Sequence, residues 1–254
     1  MTYLFFDIES ANSLGGFGKI CSFGYILCNS NFSEIQSGDI LINPDCPFDP
    51  YLFRHNSRCR LSYRREEYRR QQKFPQYYSK IKSLLSASNT LVVGFGIESD
   101  IVTIMNECIR YNLEPIPFDC YNLHSPLTSF YETQGRLENF VEKLDVSSIG
   151  LEFHDSKADA IFTMRCAQKL CLDAQKSLED IFTAFPPINS LDTHKARIKK
   201  LFQTWLLRSE AKKAKYGKPL RTPKKVSVPD WFDYRRELLA ELSWQEENAK
   251  DTDK

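Results

Sequence analysis

The sequence predicts an α/β protein in which a mixed β-sheet is flanked by helices, with a helical basic C-terminal extension. Short β-rich apolar runs alternate with segments whose apolar residues recur at helical spacing, which is typical of a sheet covered by helices. The extension is indicated by charge, because residues 194–225 hold twelve Lys and Arg and one acidic residue, a net charge of +11. Since the whole chain carries +1, the other residues carry −10.

Three strands are predicted at the start of the chain. The first covers residues 3–9 (YLFFDIE), and a Gly-rich loop at residues 12–19 separates it from the second, residues 20–28 (ICSFGYILC). A third strand is predicted at residues 39–43 (DILIN). Because the connections between them are short, these strands are expected to form an antiparallel meander.

Helices and strands alternate in the remainder of the first domain. Residues 44–62 contain Pro and Asp and are expected to form a loop, and residues 62–73 are charged and either helical or irregular. A helix, a strand, a helix, a strand and two helices follow, at residues 75–85, 90–95, 100–111, 115–121, 136–145 and 156–175. Ser99 is expected to cap the helix that comes after it.

The C-terminal extension is predicted to be a separate region, residues 189–254, after a first domain of residues 1–188. Residues 194–215 form a predicted basic amphipathic helix, a linker follows at 217–229, and a second, acidic helix is expected at 230–247. A basic amphipathic helix binds nucleic acid, an anionic membrane or a partner protein, or packs on its own domain. The apolar residues on one side of this helix are Ile198, Leu201, Phe202 and Trp205.

Composition excludes several classes of protein. Hydrophobic residues make up 42% and charged residues 26%, as in soluble globular domains. The first ten residues reach Asp7 and Glu9 without a basic segment, so a secretory signal is not expected, and no run approaches the ~20 apolar residues of a membrane span. The eight cysteines include no C-x-x-C pair. Reduced, mostly buried cysteines and a cytoplasmic location are therefore expected, without a zinc site.

Two carboxylates lie on one face of the first predicted strand. Asp7 and Glu9 are two residues apart, and side chains at that spacing in a strand point to the same face. Burying two negative charges beside each other is unfavourable unless a positive charge neutralises them. Mg²⁺ prefers carboxylate oxygens, so this pair is a candidate metal site. The alternative is a strand end at which both acids are hydrated.

Three further residues carry candidate chemistry. Asp100 follows an apolar strand in the first turn of a helix, where an acid is also favoured by the helix dipole. His154 lies in the loop before the 156–175 helix, and Asp159 lies in its first turns. Each of the three is common as an ordinary surface or capping residue. Together with Asp7 and Glu9, they provide the acids and the base that a two-metal phosphodiester hydrolase requires.

These residues resemble the three motifs of the DEDDh-type 3′–5′ exonucleases, the branch that includes the bacterial polymerase proofreading subunit. The family has a hydrophobic residue before D-x-E, an Asp in a G-H-N-x-x-x-D segment after a strand, and H-x-x-x-x-D-A. This chain has FFDIES, GFGIESD and HDSKADA. The resemblance covers roughly residues 2–175. It departs from the pattern at Phe95 and Gly96, which stand where the family often has His-Asn.

The resemblance implies an RNase H-like fold and hydrolysis of phosphodiester bonds from a free 3′ end, with release of nucleoside monophosphates. Carried over by position, Asp7, Glu9, Asp100 and Asp159 would hold two Mg²⁺ or Mn²⁺ ions, and His154 would be the general base. The expected substrate is single-stranded or 3′-overhang nucleic acid, with DNA favoured over RNA.

Candidate nucleic-acid contacts come from three parts of the chain. In the family, the loop after the first motif lies beside the 3′-terminal nucleotide, where an apolar side chain can stack on a base. An Arg-rich segment at residues 54–70 and the basic helix of the extension suit phosphate contacts. The candidates are Asn12, Leu14, Phe17, Arg64, Arg65, Lys199 and Lys200.

Two other functions compete with the exonuclease. The first is a catalytically silent module that retains the fold and binds nucleic acid or protein, and the complete set of five residues argues against it. The second is a hydrolase of a small phosphodiester such as a dinucleotide, for which a +11 segment would have no use. The extension is also a candidate site for a protein partner, and no membrane association is expected.

Overall fold

The computed structural model describes residues 1–12 and 18–216, with the backbone alone for some positions after residue 201. Leu14, Phe17, the predicted linker and the predicted acidic helix lie outside the described residues. The chain divides into two units, Met1–Thr193 and the residues from His194 onward. The first unit includes residues 189–193, which lie past the predicted domain boundary.

A single mixed β-sheet of six strands forms the centre of the first unit. Its order is β3-β2-β1-β4-β5-β6, and the first three strands are the predicted antiparallel meander. β4 is parallel to β1 and β5 is parallel to β4, whereas β6 is antiparallel to β5. The strands are Thr2–Ser10, Ile20–Asn29, Glu34–Leu41, Thr90–Gly94, Asp119–Asn122 and Ile188–Asn189.

Helices cover the sheet, which confirms the predicted α/β architecture. The longest helix in the first unit, α6, has its N-cap at Asp155, whose side chain accepts a hydrogen bond from the backbone N–H of Ala158. A 3₁₀ turn lies at Pro50–Phe53. The α-helices are α1 Arg65–Arg69, α2 Phe74–Leu85, α3 Glu98–Arg110, α4 His124–Tyr131, α5 Leu137–Lys143, α6 Ser156–Ala174, α7 Leu178–Phe182 and α8 Ser190–Tyr216.

Alternation along β1 sorts its side chains between the two faces of the sheet. Tyr3 and Phe5 belong to the apolar core that contains Phe162 and Cys166 of α6. Leu4, Phe6 and Ile8 point to the opposite face and are also buried. Asp7 and Glu9 continue the row of Tyr3 and Phe5, so they extend toward the side of the sheet that α6 covers.

Several elements differ from the predictions. β3 begins at Glu34, five residues before the predicted strand, because pairing with β2 extends it beyond its apolar end. α4, α7 and β6 were not expected from the sequence. Ser99 does not cap α3, because the helix begins at Glu98 and Ser99 instead donates a hydrogen bond to Asp100.

All eight cysteines are free thiols, and five of them are buried, as predicted. Within the described residues, no helix combines the length and the apolar character that crossing a membrane requires.

Candidate active site

The end of β1 supplies the first two acids of the candidate site. Asp7 pairs with Gly24 and Glu9 pairs with Ser22 on β2, and the register shifts immediately after Glu9. Their side chains share a face because they are two residues apart in a regular strand, as predicted. The Glu9 side chain keeps 16% of its surface exposed, so the site remains open to solvent.

Gly24 allows α6 to approach these acids. A Cβ atom at this position would lie 2.0 Å from the backbone nitrogen of Lys157 and 2.0 Å from the carbonyl carbon of Ser156. The start of α6 therefore rests directly on β2, next to the strand that carries Asp7. This role of Gly24 was not predicted from the sequence, although a glycine inside a strand often marks a close approach by another backbone.

A short hydrogen-bond chain holds the start of α6 in this position. The hydroxyl groups of Ser22 and Ser156 are 2.8 Å apart and buried. Ser156 also donates to Asp39 Oδ1 at 3.0 Å, and Asp39 pairs with Gly24 across β2 and β3. This chain links β2 and β3 to the first residue of α6, and so fixes where α6 presents its first turns.

The loop before α6 and its first turns complete the cluster. The backbone N–H of His154 donates to Asp159 Oδ2 at 3.1 Å. His154 Nδ1 lies 4.0 Å from Glu9 Oε1, and one ligand atom each from Glu9, His154 and Asp159 fall within 4.8 Å of one another. His154 adopts a left-handed backbone conformation, with φ of 64°. This conformation is unusual outside glycine and is common at sites where a loop is held under strain.

Asp100 comes from α3, the helix that follows β4, and β4 is the parallel neighbour of β1. Asp100 lies in the first turn of α3, directly after β4, and accepts a hydrogen bond from Ser99 at 3.1 Å. Gly96 in the same motif has φ of 64° and donates its N–H to Asn122 Oδ1. Glycine adopts this left-handed conformation at no steric cost, so Gly96 suits the turn between β4 and α3. Phe95 packs edge-on against His124.

The acids raise one another's pKa values. Burial raises the pKa of Asp7 well above its usual range, and the charges of Asp100, Asp159 and Glu9 raise it further. The pKa of Glu9 is also raised, first by burial and then by Asp159 and Asp100. Burial raises the pKa of Asp100 to about 8 and that of Asp159 to about 7. The four carboxylates therefore lie close enough to oppose one another's ionisation.

The cluster fits a divalent metal ion. Oδ1 of Asp159 is buried and accepts no hydrogen bond from the described residues, so it has lone pairs available for a ligand. Carboxylate oxygens are the donors that hard cations such as Mg²⁺ prefer, and a cation would offset the mutual repulsion that raises the pKa values.

Glu138 is a neighbour of the site that the sequence analysis missed. Its Oε1 lies 3.7 Å from His154 Nε2, so the imidazole has a carboxylate near each ring nitrogen. Glu138 lies in the first turn of α5, and its charge also raises the pKa of Asp159. No local pattern distinguishes it from other acids in the first turn of a helix, where the helix dipole favours them.

The residues predicted to contact nucleic acid lie in different parts of the structure and differ in their exposure. Asn12 is buried, with 8% of its surface exposed, and its amide donates to Pro47 O and Cys46 Sγ. Arg64 is exposed and Arg65 half-buried, and both follow Ser62, whose hydroxyl donates to His154 O at 3.3 Å. Lys199 and Lys200 lie on α8 within the second unit, and Leu14 and Phe17 are not described.

Comparisons with known proteins identify the fold. Neither a protein-family model nor a curated protein matches the chain. The nuclease domain of 3′hExo, a DEDDh family member, bound to rAMP, is 18% identical, with a TM-score of 0.59 over 69% of this chain and 94% of that chain. A 3′-exonuclease that recognises the 3′ end of a histone mRNA stem-loop is 15% identical, with a TM-score of 0.57 over 69% and 84%.

A bacterial enzyme has a similar structure. E. coli exonuclease I in complex with a 5cy-dT13 oligonucleotide is 19% identical, with a TM-score of 0.57 over 72% of this chain and 42% of that chain. At these identities the similarity establishes the fold alone. The chain therefore has the RNase H-like fold found in DEDDh 3′-exonucleases, as the sequence motifs predicted.

Proposed function

We propose that this protein is a metal-dependent exonuclease that hydrolyses phosphodiester bonds from the 3′ end of nucleic acid and releases nucleoside monophosphates. One observation carries the proposal, in a fold shared with 3′-exonucleases: Glu9, Asp159 and His154 place ligand atoms within 4.8 Å of one another, and the charges of Asp100, Asp159 and Glu9 raise the pKa of Asp7 beside them. The elements β1, α3 and α6 that carry these acids are far apart in sequence, and a purely structural role would not favour four acids whose charges oppose one another.

The proposed metal ligands are Asp7, Glu9, Asp100 and Asp159, which would hold two Mg²⁺ or Mn²⁺ ions. When bound, the ions polarise the scissile phosphate and stabilise the charge that develops on the attacking and leaving oxygens. The protein positions the carboxylates through the close contact of Gly24 with α6 and through the hydrogen bond from Ser99 to Asp100.

The proposed general base is His154. Its side chain is 25% exposed, so water can reach the imidazole, which accepts the proton of the attacking water molecule. Glu9 and Glu138 lie 4.0 Å and 3.7 Å from its two ring nitrogens, so each nitrogen has a carboxylate nearby. The hydrogen bond from the His154 backbone to Asp159 fixes the loop.

The proposed substrate is a single strand or a 3′ overhang, with DNA favoured over RNA. The structural neighbours include one bound to rAMP and one bound to an oligothymidylate, so the preferred sugar is a matter for measurement. Nucleic-acid contacts are proposed for Asn12, Leu14, Phe17, Arg64, Arg65, Lys199 and Lys200. A protein partner for the extension and a cytoplasmic location stay predictions.

A gel time course tests the proposal. The protein is incubated with Mg²⁺, Mn²⁺ or EDTA and with one of three substrates that carry a 5′ label. The substrates are single-stranded DNA, single-stranded RNA and a duplex with a 3′ overhang. Asp7→Asn is the test variant, and Asp192→Asn, which changes an exposed carboxylate on α8, is the matched control. We expect a ladder that shortens from the 3′ end, is lost in EDTA and in Asp7→Asn, and persists in the control.

Intact strands in every metal lane would contradict the proposal and would favour the silent binding module. Hydrolysis of dinucleotides alone, with longer strands left intact, would instead favour the hydrolase of small phosphodiesters. Comparison of the DNA and RNA lanes tests the proposed sugar preference independently of the reaction itself.

A further inference from the structure

An arginine-lined cavity of about 320 Å³ lies beside the loop that carries His154. It is lined by Phe53 and by residues 60–66, which include three arginines and one acid, Glu66. In the part of the chain that the structure describes, none of these arginines forms an ion pair. The cavity therefore has an excess of positive charge. Its arginines are Arg60, Arg64 and Arg65.

Arg65 is held in a fixed orientation with one donor unused. Its guanidinium carbon lies 4.7 Å from the centre of the Phe53 ring, a distance typical of cation–π contact. Its Nε atom is buried and has no hydrogen-bond partner among the described residues. Because Nε itself is buried, a ligand in the cavity would meet the rest of the guanidinium group, which carries the positive charge. An anion is the ligand that this charge favours.

The cavity is connected to the proposed catalytic loop by a single hydrogen bond. The hydroxyl of Ser62, which lines the cavity, donates to His154 O at 3.3 Å. In an exonuclease that acts at the 3′ end, the strand continues from the catalytic site only in the 5′ direction. Each nucleotide in that direction carries a phosphodiester anion, which the planar guanidinium group of arginine binds well.

We propose that this cavity holds a phosphate of the substrate strand on the 5′ side of the scissile bond, with Arg65 as its anchor. This inference rests on the proposed function. It goes further because it assigns a subsite outside the acid cluster. It implies that the cavity contributes to the hydrolysis of a strand and contributes nothing to the hydrolysis of a single nucleotide ester, which has no phosphate beyond the scissile one.

Two substrates separate the subsite from the catalytic cluster. The p-nitrophenyl ester of thymidine 5′-monophosphate fills only the terminal position, whereas an oligothymidylate extends into the cavity. For Arg65→Gln, we expect kcat/KM to fall about tenfold or more on the oligothymidylate and to stay within about twofold of wild type on the ester. Arg69→Gln changes the same charge on the same helix outside the cavity, and we expect it to leave both rates within about twofold.

A scan of neutral linkages locates the phosphate. Methylphosphonate replaces the second, third or fourth linkage from the 3′ end of the oligothymidylate. At one of these positions it should slow the wild-type protein and have no further effect on Arg65→Gln, because the lost charge and the lost guanidinium belong to one contact.

The outcomes distinguish the subsite from the proposed function. If wild type hydrolyses neither substrate, the exonuclease proposal itself fails. If Arg65→Gln slows ester and strand equally, or slows neither, the subsite is overturned while the exonuclease stands. Thermal unfolding monitors folding of the variant. If Arg65→Gln is unfolded, Arg60→Gln replaces it, since this residue lines the cavity without the Phe53 contact, and the same strand-specific loss is expected.

Discussion

At Gly24 the backbone of β2 and the start of α6 are in direct contact. The atoms that a Cβ would meet, at 2.0 Å, belong to the backbone of Ser156 and Lys157, which cannot rotate away as a side chain can. Any larger residue must therefore displace α6, and with it Asp159 and the loop of His154. Replacing one Cα hydrogen of Gly24 by a methyl group is therefore expected to disrupt the acid cluster.

We predict that Gly24→Ala lowers both stability and activity. The free energy of unfolding should fall by about 1–3 kcal/mol, as in other overpacked sites, and activity should fall more than the folded fraction does. Gly38→Ala is the control, because its Cβ would meet only the ring of Tyr25, at 2.9 Å. Urea unfolding and strand hydrolysis measure the two effects, and equal activity in both variants would contradict the role of Gly24.

His154 combines a strained backbone with a reactive side chain. We predict that His154→Asn lowers kcat by about 10²–10⁴-fold, the usual contribution of a general base. Asn is the suitable replacement because it tolerates the left-handed conformation of this position. Stabilisation by Mn²⁺ in a thermal-shift assay should persist, since Asp7, Glu9, Asp100 and Asp159 remain. A variant with normal kcat would exclude His154 as the base.

At the scale of elements, the site is formed where β1, α3 and α6 meet, and the sequence predicted all three. Long apolar periodicity identified α3 and α6, and a buried run identified β1. α4 has no side-chain cap at its start, and β6 has two residues whose pairing with β5 depends on the folded sheet. Glu138 and Gly24 were missed for the same reason, because their roles arise from contacts between distant segments.

The acids on these elements make metal-free stability depend on pH. Unfolded Asp has a pKa near 4, whereas folded Asp159 and Asp100 have values of about 7 and about 8. Between these values the folded chain binds more protons than the unfolded chain, so the free energy of unfolding falls as pH rises. In EDTA, urea midpoints should therefore decrease from about pH 5 to about pH 8.

Two comparisons test whether these acids cause the pH dependence of stability. Asp100→Asn should flatten the pH dependence, because the amide does not ionise. Mn²⁺ should stabilise the protein more at the higher pH, since it binds the ionised carboxylates in competition with protons. A midpoint in EDTA that is constant, or that rises across this range, would show that these acids do not carry raised pKa values in the folded protein.

Over the whole molecule, charge is divided between an acidic first unit and a basic second region. The similarity to 3′hExo and to exonuclease I covers 69% and 72% of the chain. Sequence patterns predicted this division well, because net charge needs no knowledge of the fold. They did not reveal the arginine cavity, whose charge matters only because folding places Ser62 beside His154.

We predict that Lys199→Gln/Lys200→Gln weakens binding of single-stranded DNA and its dependence on salt. Each phosphate contact contributes about 0.7 to the slope of log K against log[salt], so the slope should fall by about 1.4. Fluorescence anisotropy in EDTA measures binding without turnover. The control is Lys80→Gln/Lys176→Gln, which removes two exposed lysines from the first unit. Equal slopes for the two variants would place the strand away from α8.

The central claim is that the acid cluster cleaves nucleic acid from a free 3′ end. The most direct measurement follows a 5′-labelled linear strand and a circular strand of the same sequence in Mn²⁺, with wild type and Asp159→Asn. We predict that wild type shortens the linear strand one nucleotide at a time, releases nucleoside monophosphates and leaves the circle intact. Asp159→Asn should leave both the linear strand and the circle intact. Cleavage of the circle, or undiminished activity of Asp159→Asn, would contradict this claim.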